Sequence, residues 1–359
     1  MNNSVSLTQK VSKHFLMHPS RLKTFVRAIL GAMSGGNCQQ YSLSRMLDSP
    51  TCKSSIRRIE RFFQKQDITC SSLALFLVET LNFTGQFDLC LDRSNWEFGE
   101  KNINYLVLSW RISKELSLPL FFVELDKAGN SNTHERIDLI QQFINLFGQG
   151  RIKSLSADRE FVGNVWCDYL VQNKIPFYMR HRVNINIPYG VETLRCVGDF
   201  FDHLKTNQTR MLYKKMYGED VCFVGKRLKN GELLIILTNQ THKKESDILY
   251  EYRKRWSIEE LFKKLKTSGF HWENTHMKHS KRLSKLLIIL SIAVLWSYLM
   301  GVALNRSYKK TLDCFVKTIF RYGLQNFQHL VSMSIQQAIL TLEERLNVAA
   351  EFVFQKSDG

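Results

Sequence analysis

The chain has 359 residues, a formal net charge of +17, and 44% hydrophobic and 12% aromatic residues. That apolar share excludes a disordered chain and is enough to build the cores of two or three domains. The surplus of positive charge concerns partners and not fold, and it points to nucleic acid, whose condensed counterions Lys and Arg displace. Eight cysteines with no CxxC pair and no tight Cys/His cluster argue against a disulfide framework and fit reduced thiols. The N-terminal segment lacks the apolar run of a signal peptide, so a cytoplasmic protein is expected, associated with the nucleoid when bound to DNA.

Residues 1–80 read as helical. Phe25 to Leu30 and Ile56 to Phe63 repeat apolar residues at helical spacing, with breaks at Gly35-Gly36-Asn37 and Ser49-Pro50. The first 75 residues hold 11 Lys/Arg against 3 Asp/Glu, and Arg57, Arg58 and Arg61 fall on or near one face of the second helix. A small helical DNA-binding domain is therefore expected over 1–80.

The texture then changes. Phe87 to Asp92, Ile103 to Ile112 and Leu118 to Leu125 read as three strands, and His134 to Phe147 as a helix. Ile152 to Ala157 reads as a strand ending at Asp158. A helix over Phe161 to Gln172 and a strand over Ile175 to Met179 follow. The order βββαβαβ, an antiparallel meander and then helix-linked parallel strands, matches a ribonuclease-H-like α/β fold: a mixed sheet flanked by helices over 81–181. Residues 182–247 read as a β-rich insertion, with a hairpin around Lys229-Asn230-Gly231. Helix returns over 248–310, the second part of the core, and again over 311–359 as C-terminal helices suited to dimerisation. Leu286 to Leu304 carries no charge and nearly reaches the length of a membrane span, but it reads as a buried core helix, and no membrane is expected.

Chemistry enters with the acids. Asp92 and Asp158 close strands that lie side by side in such a sheet, so their carboxylates would meet. Asp88 competes with Asp92, four residues earlier on the same strand face. On the helix after the insertion, Tyr252, Arg255, Glu259 and Lys266 fall within roughly 60° of one another around the axis. A carboxylate thus sits between two cations on one stripe. Phosphodiester cleavage requires both the attacking and the leaving oxygen to be stabilised. Two Mg²⁺ ions held by Asp92, Asp158 and Glu259 would do that.

Leu91-Asp92-Arg93-Ser94-Asn95-Trp96 resembles the first-aspartate motif of the insertion-sequence DDE transposases of family four, D-R-T-N-W, with Ser94 a departure that keeps the hydroxyl. Ala157-Asp158-Arg159-Glu160-Phe161 resembles their second-aspartate motif, and Tyr252, Arg255, Glu259 and Lys266 reproduce their Y-R-E-K spacing. The resemblance implies a metal-dependent enzyme that cuts transposon ends and joins the 3′-hydroxyl to target DNA. Asp92, Asp158 and Glu259 would serve as catalytic metal ligands for Mg²⁺ or Mn²⁺, and Tyr252, Arg255 and Lys266 would contact DNA. It also implies double-stranded terminal repeats and target DNA as partners, and a homodimer in the synaptic complex. The alternatives are a nuclease of the same fold without strand transfer and an inactive DNA-binding relative. Relatives that form a hairpin end stack an aromatic on a flipped base. Here Tyr189, Tyr213 and Phe223 are weak candidates for that role, while Trp256 reads as core packing.

Overall fold

A computed structural model describes residues 6–189, 193–304, 308–309, 314–315, 317–349 and 353. The tail expected over Gln355 to Gly359 lies outside the described residues. Five N-terminal helices, α1 (Leu7–Ser12), α2 (Pro19–Gly35), α3 (Gln40–Ser44), α4 (Cys52–Lys65) and α5 (Cys70–Thr80), precede the sheet. The first three strands, β1 (Phe87–Phe98), β2 (Lys101–Arg111) and β3 (Ser117–Glu124), form an antiparallel meander. Helix α6 (Thr133–Phe147) leads into β4 (Ile152–Ala157), and α7 (Asn164–Gln172) leads into β5 (Phe177–His181). Both of these strands run parallel to β1. This arrangement is a ribonuclease-H-like α/β core.

The next strands are β6 (Asn186–Pro188), β7 (Leu194–Cys196), β8 (Thr209–Met216), β9 (Glu219–Arg227) and β10 (Leu233–Thr238). While β6 and β7 pair only with each other, β8–β10 do not stand apart: β10 pairs antiparallel with β5 and continues the core into one eight-stranded sheet, ordered β3-β2-β1-β4-β5-β10-β9-β8. The β9–β10 hairpin turns where the sequence indicates, with Gly231 at φ +84, a conformation other residues adopt only under strain.

Side chains alternate across the sheet, and β1 shows which face holds what. Its odd positions face α6: Phe87 packs against Phe143 and Phe147. The even positions Asp88, Cys90 and Asp92 face helices α8 (Glu245–Arg253) and α9 (Trp256–Lys266), touching Lys254, Ser257 and Arg255.

The structure corrects three boundaries. First, β1 does not end at Asp92. Its pairing with β4 ends at Leu91–Ala157, while the antiparallel β1–β2 ribbon runs on to Phe98. Second, the helix expected from Ile248 to Thr267 is broken at Lys254-Arg255. There the Lys254 and Arg255 amides bond three residues back, to Glu251 and Tyr252, in a tight turn. Third, the helix expected from Phe161 starts only at Asn164, because Arg159–Phe161 forms a short 3₁₀ turn after Asp158.

Helix α10 (Ser280–Val302) carries the uncharged run, and 94% of its most apolar window is buried. It packs against α2 and against α11 (Ile319–Met333), while α12 (Ile335–Ala349) closes the C-terminal layer. The α10–α11 crossing is close. A β-carbon on Gly323 would lie 1.9 Å from the Ser297 carbonyl oxygen, and one on Gly301 would lie 2.1 Å from that of Ile319. Cys38, Cys52, Cys70, Cys90, Cys167, Cys196 and Cys222 are free.

One buried charge makes stability depend on pH. Lys264 of α9 is 4% exposed, bonds only weakly to the Glu260 carbonyl at 3.3 Å, and is pushed down by burial to about 8. Its folded pKa lies below the usual 10.5. The charged form therefore opposes folding below about pH 8, and that penalty is released as pH rises towards 10.5. A Lys264→Met variant should be more stable at pH 7, by on the order of 3 kcal/mol at most. The advantage should shrink between pH 8 and 9.5 in thermal melts. A difference that does not change with pH would refute this.

Candidate active site

Strand register builds the cleft. The last parallel pair is Leu91–Ala157, so Asp92 and Asp158 are the next residue on each of two neighbouring strands. Parity sends both towards α8 and α9: Ser154, two turns of the alternation before Asp158, bonds Asp88 on that face at 2.7 Å. The Asp92 Oδ1 accepts from the Arg93 amide at 2.8 Å, and its Oδ2 lies 3.5 Å from Arg255 Nη1. The other end of the same guanidinium is hydrogen-bonded to Glu259. Arg255 thus bridges a strand carboxylate and a helix carboxylate.

Charge is crowded here. Burial pushes the Asp92 carboxyl up to about 6. The Arg93 amide and the Arg255 cation work against that rise, and Glu160 and Asp158 add to it. Burial also disfavours the Arg255 charge, but Tyr252, Asp92, Asp158 and Glu259 together outweigh that and hold it more firmly charged than usual. Tyr252 is 9% exposed, and burial pushes its phenol up to about 12. Its ring lies 5.8 Å from the Arg255 guanidinium carbon.

Asp88 is an unsuitable rival to Asp92. It bonds Ser154 and, at 3.1 Å, Lys254, which also bonds Glu251 at 2.7 Å; Arg111 and Lys153 lie near. Its charge is fully committed to fixing the α8–α9 break against β1.

Lys266 closes the stripe against the first motif. Its Nζ bonds the Asn95 carbonyl at 3.2 Å, lies 5.6 Å over the Trp96 ring and pairs with Glu273 at 2.7 Å. Trp96 in turn packs on Tyr105 and Trp272.

The site's fit to divalent ions can be judged from its donors. Asp158 Oδ1 is buried with no hydrogen-bond partner, and burial weighs against the charge of Asp92 although Arg255 lies beside it. Carboxylate oxygens are the hard donors that Mg²⁺ takes. Glu259 stands apart from them: among the described residues no three His, Cys, Asp or Glu side chains are grouped closely enough to hold a metal ion, because Arg255 lies between Glu259 and Asp92.

Two side chains depart from expectation. Trp256 is not core but 61% exposed, on the wall of a cleft of about 680 Å³ lined also by Tyr250, Arg253 and Lys226. The apolar phase of Ile258, Leu261 and Leu265, all buried, places position 256 on the opposite side of α9, so the signal was present in the spacing. Arg58 does not share the open face with Arg57 and Arg61. It turns inward to Thr24, Asp48 and Ser49, while Arg57 and Arg61 stay exposed. Of the aromatics in the insertion, Phe223 is fully buried, whereas Tyr189 and Tyr213 are exposed.

The family described as Transposase DDE domain matches residues 115–296, just over half of the chain. Asp158 and Glu259 lie inside that match and Asp92 before it. Comparison with curated proteins gives no match. Among solved structures the chain is similar to a piggyBac transposase in a synaptic complex with hairpin DNA. The identity is 12% and the TM-score 0.48, covering 95% of this chain and 73% of that one. A ribonuclease-H-like sheet with acids just past the last β1–β4 pair, together with that family match, defines a DDE-type protein. The chain belongs to the transposase DDE-domain family.

Lys254→Met should leave Asp88 buried beside fewer cations and free the α8–α9 break. Removing one partner of a buried pair costs up to about 3–5 kcal/mol, and Arg111 and Lys153 beside Asp88 should hold the loss below that. The expected result is a lowered melting temperature, and a melt equal to wild type would contradict it.

Proposed function

We propose that the protein cleaves double-stranded DNA at transposon ends and joins the freed 3′-hydroxyl to target DNA. The observation that carries this reading is the placement of Asp92 and Asp158 at the next position beyond the last β1–β4 pair on each strand, with Arg255 tying Glu259 to Asp92. Asp92 and Asp158 would hold Mg²⁺, or Mn²⁺ in its place, and Glu259 would join them once Arg255 lets go. Two such ions, when bound, would activate the attacking water or hydroxyl and offset charge on the leaving oxygen.

The chain's own residues supply the rest. Arg255 would exchange its carboxylate partners for a DNA phosphate, which its planar fork can hold through two hydrogen bonds. Tyr252, one turn earlier, presents its phenol beside that phosphate. Lys266, fixed over Trp96, adds a second cation along the strand. Arg57 and Arg61 extend the basic surface on α4, and a second copy of the chain would hold the other transposon end.

Asp92→Ala, Asp158→Ala and Glu259→Ala should each reduce end cleavage in Mg²⁺ to the level of a protein-free control while DNA binding persists. Near-normal cutting by any one of them would remove that acid from the site. Binding should also weaken steeply with salt. Arg57→Ala and Arg61→Ala should each lower the slope of log affinity against log salt by about 1, measured by fluorescence anisotropy. An unchanged slope would take α4 out of the DNA contact.

A further inference from the structure

The residues next to the two aspartates form a construction of their own on the far face of the sheet. Arg93 follows Asp92 and so points to the α6 side. Its guanidinium makes five hydrogen bonds. Nε and Nη2 reach the two carboxylate oxygens of Glu160 at 2.7 and 2.9 Å. Nη1 reaches Asn104 Oδ1 at 3.1 Å and the Gly129 carbonyl at 2.7 Å, and Nη2 also reaches Asn130 Oδ1 at 3.1 Å. A guanidinium has five N–H groups, so every one is used.

Glu160 sits in the 3₁₀ turn that opens at Asp158. The same turn is held from α6 by Arg136, 6% exposed, whose Nη1 reaches the Phe161 carbonyl at 3.2 Å and whose Nη2 reaches that of Glu160 at 3.4 Å. Asp158 Oδ1 takes no part in fixing its own turn, being buried without a partner. The aim of the Asp158 carboxylate is therefore set by Glu160, and that of Glu160 by Arg93.

We propose that Arg93 and Glu160 are positioning residues: one two-pronged ion pair that locks the end of β4 to β1 and holds the Asp158 and Asp92 carboxylates at a fixed separation. This rests on the proposed reading of those acids as metal ligands. Lysine cannot replace Arg93, because a point-charge ammonium cannot hold both Glu160 oxygens and also reach the 129–130 loop. Glutamine cannot replace Glu160, because it offers one acceptor where two are used.

The test compares Arg93→Lys, Glu160→Gln and the double variant with wild type, at equal folded protein set by thermal melts. Mn²⁺ binding to the DNA-free protein, followed by electron paramagnetic resonance, should weaken by about 10- to 100-fold in each single variant. Maximal cleavage rate should fall by a similar factor while the DNA concentration for half-maximal rate stays unchanged. The double variant should be no worse than the poorer single, since both break the same unit. Two results would overturn the inference: Mn²⁺ affinity and maximal rate within about 2-fold of wild type, or losses that only follow the folded fraction. Asp158→Ala in the same assays separates the two claims. If it abolishes Mn²⁺ binding while Arg93→Lys is silent, only the positioning role fails. If Asp158→Ala itself binds Mn²⁺ and cuts normally, the metal-site reading fails and this inference falls with it.

Discussion

The cleft depends on one guanidinium. Arg255 is bonded to Asp92 and Glu259 and lies in the field of Asp158, so three carboxylates share one fixed cation. Packed carboxylates repel one another, and without this charge burial would drive one of them to take up a proton. Arg255 can reach both partners only because the chain breaks its helix at Lys254-Arg255. Lys254 is anchored to Asp88 on β1, which holds the start of α9 over Asp92. The ion pair at Asp88 and the charge cluster at Asp92 thus sit two repeats of the strand alternation apart and play different parts. The first fixes the helix, and the second gathers Asp92 and Glu259 around Arg255.

The three motifs are linked to one another as well as to the chemistry. Arg93 of the first grips Glu160 of the second, and Lys266 of the third rests on Asn95 and Trp96 of the first. None of these contacts is local in sequence. Residues beside the acids in these motifs thus act as structural crossties. The parity of the sheet divides the labour. On β1 the even positions Asp88, Cys90 and Asp92 meet Lys254, Ser257 and Arg255, while odd positions such as Phe87 and Arg93 meet α6 and the Glu160 turn.

Much of this was legible from the residues. The βββαβαβ order, the turn at Gly231 and the burial of α10 follow from period, turn chemistry and the absence of charge. What escaped was set by tertiary contacts. Asp92 lies in mid-strand because β2 continues to pair after β4 has stopped, and a single strand's pattern does not show where a neighbour ends. The break after Arg253 has no Gly or Pro to announce it; it is imposed by a lysine that bonds Asp88, 166 residues away. Arg58 looks like its neighbours in sequence, but its partners Thr24, Asp48 and Ser49 come from other helices and turn it inward. Trp256 was legible in principle, since the phase of α9 excludes it from the core.

The insertion shows how the sheet could grow without disturbing the site. A sheet that ended at β5 would expose a row of unpaired backbone groups, which natural proteins avoid. β10 covers that edge by antiparallel pairing, from Ile235–His181 to Thr238–Tyr178, and β9 and β8 follow outward. New strands are added where β5 ends, so they leave the β1–β4 junction and its acids untouched. A charged hollow lies where β5 and the added strands meet. Arg159, Arg180, Arg182 and Arg227 line one hollow of about 630 Å³ with Asp202 and Glu232. Arg180 is paired with Glu232, and Arg227 is bonded to the carbonyls of Asp202, Leu204 and Gly231. Arg180 therefore ties the insertion to β5 and Arg227 braces the insertion internally, while Arg159 and Arg182 remain exposed.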